Sequence, residues 1–239
     1  MNTNDQLNQF SGYSQAVTRE FFKNVYTYMF GALVISGIIA SYAGTPEFFM
    51  NYFTSADGGI SPLFYVVMFS PIALGLIIQT AYMRLSYGAI LGLFIAYSIL
   101  MGLSLSVIFL VYSIPTLAST FFVTAGAFAG MAILGYTTKT DLTKMGSLLY
   151  MVFIGIFIAS IVNIFLGSSM MDFVISVLGV FVFTGLTAYH MQQLKAIAQD
   201  NTLSEENRQK IALIGGLTLY ILFVNLFLSL LRIVGGSRD

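Results

Sequence analysis

Cysteine is absent from the 239 residues and histidine occurs once, as His190. The first absence excludes disulfides, thiolate metal sites and cysteine nucleophiles. A lone imidazole excludes a multi-histidine metal site. Charge is almost as scarce: 8% of the chain is charged, against roughly 25% in an ordinary soluble domain. Ten acidic and ten basic side chains cancel, so neither a nucleic-acid partner nor a polyanionic substrate has an electrostatic basis. No Pro-rich, low-complexity or linker-like stretch divides the chain, and no internal repeat is visible.

What is present is apolar, 57% of all residues, which rules out a water-soluble fold and makes the lipid bilayer the first partner. Uncharged runs cover 24–46, 58–83, 85–138, 145–171, 173–194 and 211–231. A helical crossing needs about 20 apolar residues, so five of these runs are one helix long. The run 85–138 is too long for one crossing, and Tyr112, Ser113 and Pro115 mark a turn inside it. Backbone amides in hydrocarbon must be paired within a helix or a closed barrel, and no period-2 alternation supports a barrel. The prediction is therefore an all-α membrane protein of seven helices, with spans near 24–44, 61–82, 87–110, 117–136, 147–167, 173–193 and 211–233. They form one transmembrane domain, 24–236, behind a tail, 1–23. The first 18 residues are polar and lack the basic start and apolar middle of a cleavable signal, and read as part of a short cytosolic tail.

Positive charge sets orientation. Arg19, Lys23, Arg84, Lys139, Lys144, Lys195, Arg208 and Lys210 all fall on one set of alternate connections, eight of the ten. The opposite set carries Glu47, Asp57 and Asp172, with Arg232 and Arg238 only at the far end of the last helix. A cytoplasmic N-terminus, an external C-terminus and a cell-membrane location are expected. In the polar loop 195–210, Ser204 followed by Glu205 and Glu206 is a helix start: the hydroxyl caps free amides and the acids suit the positive helix end.

Polar residues at membrane depth are the candidates for function, because they are costly unless they face the protein interior or water. On the sixth helix Ser176, Phe183, Thr187 and His190 share a face. On the seventh, Thr218, Leu222, Asn225, Ser229 and Arg232 form a second stripe. Both stripes are expected to turn inward, with Ser176, Thr187, Thr218 and Ser229 as pore-stripe candidates. His190 lies roughly 10 Å from the middle of its span at 1.5 Å per residue. Three readings stand for it: a hydrogen-bonded histidine near the interface, a proton sensor titrating near neutral pH, or a metal ligand. Asn225 is either interhelical glue or a pore-lining group. Arg84 is either a topology anchor that snorkels to the headgroups or a gate contact. Thr137 to Lys144 reads as a capped turn with Asp141 at a helix start. Gly88-x-x-x-Gly92 and Gly126-x-x-x-Gly130 permit close helix approach, within the chain or in an oligomer. No nucleophile with a base, carboxylate pair or phosphate loop is present, so neither an enzyme nor a cofactor is expected.

Three stretches carry a family resemblance: GYTTKTDLTKMGSLLYM at 135–151, AYHMQQLK at 188–195 and LTLYILFVNLFLSLLRIVGG at 217–236. Met83-Arg84 and the segment Gly102 to Ser106 add to it. Through these the chain resembles the Bax inhibitor-1 family, also called the transmembrane Bax inhibitor motif family, in its bacterial form. The resemblance implies a seven-transmembrane-helix bundle with the last helix central. It also implies pH-sensitive calcium leak, cytoprotection in eukaryotes, and binding and modulation of a membrane-bound protease in bacteria. In the family, two aspartates on the sixth and seventh helices form a proton and calcium sensor that an arginine on the second helix can bridge. The matching positions here are His190, Leu222 and Arg84, so both acids are missing. Calcium prefers several oxygen ligands, carboxylates above all, and His190 and Leu222 do not supply them. These residues, with Asn225, are the gate or sensor candidates, and Leu222 is a hydrophobic plug that can close a path by dewetting.

Overall fold

The computed structural model of the chain describes residues 3–55, 57–200 and 202–235, with side chains from residue 15 onward within them. Met1 and Asn2 of the expected tail, Gly236 at the end of the last family stretch, and Arg238 lie outside the described residues. The architecture is helical throughout, with no strand among the described residues. The long helices are α1 (Thr3–Ala43), α2 (Pro62–Ala81), α3 (Tyr87–Val111), α4 (Ile114–Thr137), α5 (Thr143–Leu166), α6 (Ser169–Ala198) and α7 (Glu205–Gly235). Each of these seven contains a stretch long and apolar enough to cross a membrane.

The helices begin and end where local chemistry dictates. Ser86, Ser168 and Ser204 each accept a backbone N–H from three residues on, at 3.3, 3.3 and 3.4 Å, satisfying amides that the first helical turn leaves free. Pro62 and Pro115 sit in first turns, where a missing N–H costs nothing. Gly167 closes α5 at φ 61°, a left-handed conformation that glycine adopts without strain. Several helices overrun their charge-free stretches, α1 by some twenty residues at its start, since charge limits what hydrocarbon accepts and does not interrupt a helix.

Two compact units are distinguishable, Met1–Ser113 with Asn201–Tyr220 and Ile114–Asp200 with Ile221–Asp239. In the first, α3 lies against α1 at Gly102, where a Cβ would stand 2.7 Å from the Ser36 carbonyl oxygen. Tyr220 of α7 is fully buried against the rings of Phe94 and Tyr97, at 6.5 and 5.9 Å between centroids. In the second unit, Gly135 of α4 meets the backbone of Ala188 on α6, and Gly146 of α5 accommodates the ring of Tyr189. Phe223 packs edge-on against Phe121 and Phe128, at 5.4 and 5.5 Å. The α5–α6 turn is tied by Asn163, whose Nδ2 donates to Asp172 Oδ1 at 2.7 Å and to the Ser168 carbonyl at 3.1 Å.

The paired glycines at 88 and 92 and at 126 and 130 behave differently from Gly102, Gly135 and Gly146. A Cβ built at any of them meets no heavy atom within 4 Å. Among the described residues they have no close neighbour, because helix spacing places two glycines on one face without choosing which face turns inward.

Candidate functional site

The site is built on α6 and, within the same unit, on α7 from Ile221 onward. Small residues on α6 let its neighbours come close. Besides Ala188, Gly185 leaves room for Leu149, and Gly179 faces Ser229, whose Oγ would be 2.5 Å from a Cβ there.

His190 is half-buried near the end of α6. Its Nε2 and the Tyr150 hydroxyl of α5 are 2.7 Å apart, and the Tyr189 ring stands edge-on to the imidazole at 5.2 Å. With its proton on Nδ1 the neutral imidazole accepts the phenolic proton at Nε2; with its proton on Nε2 it donates to the hydroxyl, as an imidazolium does.

One turn further along, α6 holds the connection between α4 and α5. Gln192 Oε1 accepts the Leu142 N–H at 2.9 Å and its Nε2 donates to the Thr140 carbonyl at 2.8 Å. Lys195 Nζ donates to the Tyr136 carbonyl at 2.8 Å and lies 4.9 Å from the centre of the Tyr136 ring. Within the turn, the Asp141 carboxylate accepts the Thr143 hydroxyl at 2.6 Å and its backbone N–H at 2.9 Å. Those bonds, with Lys144 nearby, hold the Asp141 carboxyl below the usual carboxylate range.

Of the stripe residues, Ser176, Thr187 and Ser229 are buried, and Thr218 and Asn225 are half-buried. Four of them donate back to their own helix: Ser176 to the Asp172 carbonyl at 2.7 Å, Thr187 to Phe183 at 2.7 Å, Asn225 to Ile221 at 2.8 Å and Ser229 to Asn225 at 2.8 Å. Leu222 is 5% exposed. Arg84 lies beyond the end of α2, in the exposed turn before α3, with its N–H bonded to the Ala81 carbonyl at 2.9 Å. Thr218 belongs, with Arg84, to the first unit. Among the described residues no three His, Asp or Glu side chains gather into a group that could hold a metal ion.

Tyr150, Gln192 and Lys195 are the residues that composition and spacing miss. All three lie in the family-like stretches 135–151 and 188–195, which the bonds between α6 and the α4–α5 connection join in space.

Seven apolar helices with their polar side chains tied back into the protein define a multi-pass integral membrane protein. The sequence pattern of the family described as Inhibitor of apoptosis-promoting Bax1 matches residues 18–239, and the chain belongs to this Bax inhibitor-1 family. It is 40% identical to the inner membrane protein YbhL of Escherichia coli K12 over 226 residues, 94% of each chain. An uncharacterized protein of Borreliella burgdorferi is 40% identical over 233 residues, covering 93% of this chain and 94% of that one. The protein RP147 of Rickettsia prowazekii is 36% identical over 221 residues, covering 92% and 91%.

Proposed function

We propose that the protein is a pH-modulated ion-leak channel of the Bax inhibitor-1 type, for calcium or another cation, whose closed state is sealed by Leu222. The observation that carries this reading is the burial of Leu222, 5% exposed, at the α7 position where the family resemblance implies an acid. An apolar side chain at a constriction closes a path by dewetting, without charge. The proton-responsive element is the His190–Tyr150 pair, in which protonation of the imidazole makes Nε2 a donor to the Tyr150 hydroxyl. Asn225 and the hydroxyl oxygens of Ser176, Thr187 and Ser229 supply neutral ligands along the path, since an oxygen that donates its proton keeps its lone pairs. The N-terminus lies in the cytoplasm and the C-terminus outside, a reading supported by eight of ten Lys and Arg residues on one set of connections. The name of the E. coli relative supports the cytoplasmic membrane as the location.

Purified protein in liposomes loaded with a calcium-sensitive dye tests this. Calcium entry that changes between pH 5 and 8 is expected; absence of flux at every pH overturns the channel reading.

A second reading is favoured by the hydrogen bonds of the stripes. Ser176, Thr187, Asn225 and Ser229 each donate to a carbonyl of their own helix, as they do when helices pack without a conducting path. The protein is then a non-enzymatic interaction protein that binds or modulates a membrane-bound protease or another membrane partner through its N-terminal tail and lipid-facing helices. Cross-linking in the membrane distinguishes the two. A stoichiometric partner that is lost on deleting residues 1–18, with folding retained, supports the second reading.

A further inference from the structure

The connection between α1 and α2 carries Glu47 and Asp57 and no Lys or Arg, which reads as an acidic loop in water. Its structure is of another kind. Thr45 Oγ1 accepts the Phe48 N–H at 3.3 Å and opens a single helical turn, Pro46–Phe48. The chain then widens into a π-turn, Phe49–Phe53, and doubles back past Gly58, at φ 78°, so that Thr54 pairs with Ile60. The Ser55 N–H donates to the Gly59 carbonyl at 2.7 Å and the Ser61 N–H to the Phe53 carbonyl at 2.9 Å. Ser61 Oγ donates to the Tyr52 carbonyl at 3.1 Å. Much of the backbone polarity is thus paired inside the segment, the condition for lying where water is scarce.

The side chains are aromatic and only partly covered. Phe53 is buried, with Phe48 and Phe64 packed on its ring at 5.8 and 5.5 Å, and Tyr52 stacks on Phe48 at 4.6 Å. Outward from this cluster stand Met50 and Tyr52, 64% and 55% exposed. Glu47, Asn51 and Asp57 are exposed as well, so the segment has both an apolar and a polar surface.

We propose that this segment lies in the headgroup–acyl boundary of the bilayer as an aromatic anchor, and that lipid is what covers Met50 and Tyr52. Three observations select lipid over a protein partner. Exposed apolar side chains continue on both flanking helices, with Ile38 and Tyr42 at the end of α1 and Leu63 and Val66 at the start of α2, so the surface is continuous with the one that faces hydrocarbon. The two helices meet the same membrane boundary, and the segment joining them must run along it. Tyrosine above a phenylalanine cluster is the side-chain type that membrane interfaces enrich, apolar in its body and wet at its tip. Without a cation, the attraction is burial of apolar surface rather than pairing with phosphate.

The chain contains no tryptophan, so Tyr52→Trp and Met50→Trp each place a single reporter in the full-length protein. In phosphatidylcholine vesicles both should emit at short wavelength. Each should lose at least half its emission when the lipids carry bromine near the headgroup end of the acyl chain, and lose little to aqueous iodide, as fits burial of roughly 5–10 Å into the boundary. Asp57→Trp should show the reverse pattern. Water-like emission quenched by iodide at both Met50→Trp and Tyr52→Trp overturns the proposal. So does short-wavelength emission untouched by brominated lipid, which means that a second copy or another protein covers the segment. Strongest quenching by bromine at the acyl-chain terminus also overturns it, because the segment would then be in the hydrocarbon centre. If a tryptophan variant misfolds, a nitroxide on Met50→Cys, unique in a chain without cysteine, reads the same depth: greater access to oxygen than to an aqueous nickel complex is expected, and the opposite order overturns the proposal.

Discussion

The hydroxyl of Ser104 on α3 donates to the backbone carbonyl of Val67 on α2 at 2.9 Å. That carbonyl is the one that Pro71 orphans, since a helical carbonyl bonds the N–H four residues on and proline has none. Ser70 Oγ donates to it from within α2 at 3.0 Å, and Ser104 also reaches the Leu100 carbonyl of its own helix at 3.0 Å. Ser104→Ala should cost about 0.6 kcal/mol and no more than about 1.7, the range for hydrogen bonds between membrane helices. In a Pro71→Ala background the Val67 carbonyl regains an amide, so the same substitution should cost less. A double-mutant cycle read by reversible unfolding in mixed micelles checks the coupling; costs that add to within about 0.3–0.5 kcal/mol mean that Ser104 does not compensate Pro71.

The glycines divide by what a methyl group would meet. At Gly135 it would enter the backbone of Ala188, which cannot swing aside as a side chain does. Gly135→Ala should lower stability by about 1–3 kcal/mol, or prevent folding. Gly126→Ala and Gly130→Ala meet nothing within 4 Å, and should be neutral or stabilising by up to about 1 kcal/mol through helix propensity. Thermal unfolding in detergent compares them directly. A large loss at Gly130→Ala in monomeric protein would contradict the open surface around it.

Gln192 is expected to control order in the α4–α5 connection. Gln192→Leu leaves the Leu142 N–H and the Thr140 carbonyl without the partner each has now, so amide exchange at Leu142 should accelerate. Gln192→Glu keeps the acceptor and should preserve slow exchange at Leu142. Equal exchange in both variants and the parent would mean that the amide is protected by something else.

Asp141 gives the same turn a pH dependence. Its carboxyl is held below the ordinary range by bonds from Thr143, so the contact is complete above the usual carboxylate pKa. It is lost only as pH falls through the lowered value. Exchange at the Thr143 amide should rise at acid pH, and Asp141→Asn should flatten that response. A response unchanged in Asp141→Asn would assign it to another group.

The crossings are legible in the sequence because hydrocarbon allows one secondary structure and sets its length. The split of 85–138 is legible for the same reason, and α3 and α4 part at Tyr112 and Ser113. Helix ends are less so: α1 starts at Thr3, well before its charges cease, because a helix continues into water. Within the site, the spacing of Ser176 and Thr187 announces a shared face but not where their protons go, which a rotamer decides locally. The His190–Tyr150 bond joins residues 40 positions apart, and nothing in either helix alone signals it. Gly126 and Gly130 show the limit of pattern most plainly, since period gives a face and only the folded neighbours give its direction.

The missing acids offer the most direct test of a permeation path. Leu222 is buried, and His190 is bonded to Tyr150 at the end of α6. Neither offers calcium the carboxylate oxygens it prefers. Leu222→Asp together with His190→Asp supplies two carboxylates on the helices that the family resemblance pairs. If a closed path runs along this part of α6 and α7, the double variant should admit calcium into dye-loaded liposomes, with flux that depends on pH because the new groups titrate. Leu222→Ala, which opens the apolar constriction without adding charge, should raise leak with little ion preference. Circular dichroism and gel filtration establish that each variant is folded before flux is read. Folded protein that stays silent in both variants would argue that no path passes Leu222, and would leave the interaction reading as the one consistent with the self-bonded hydroxyls of the stripes.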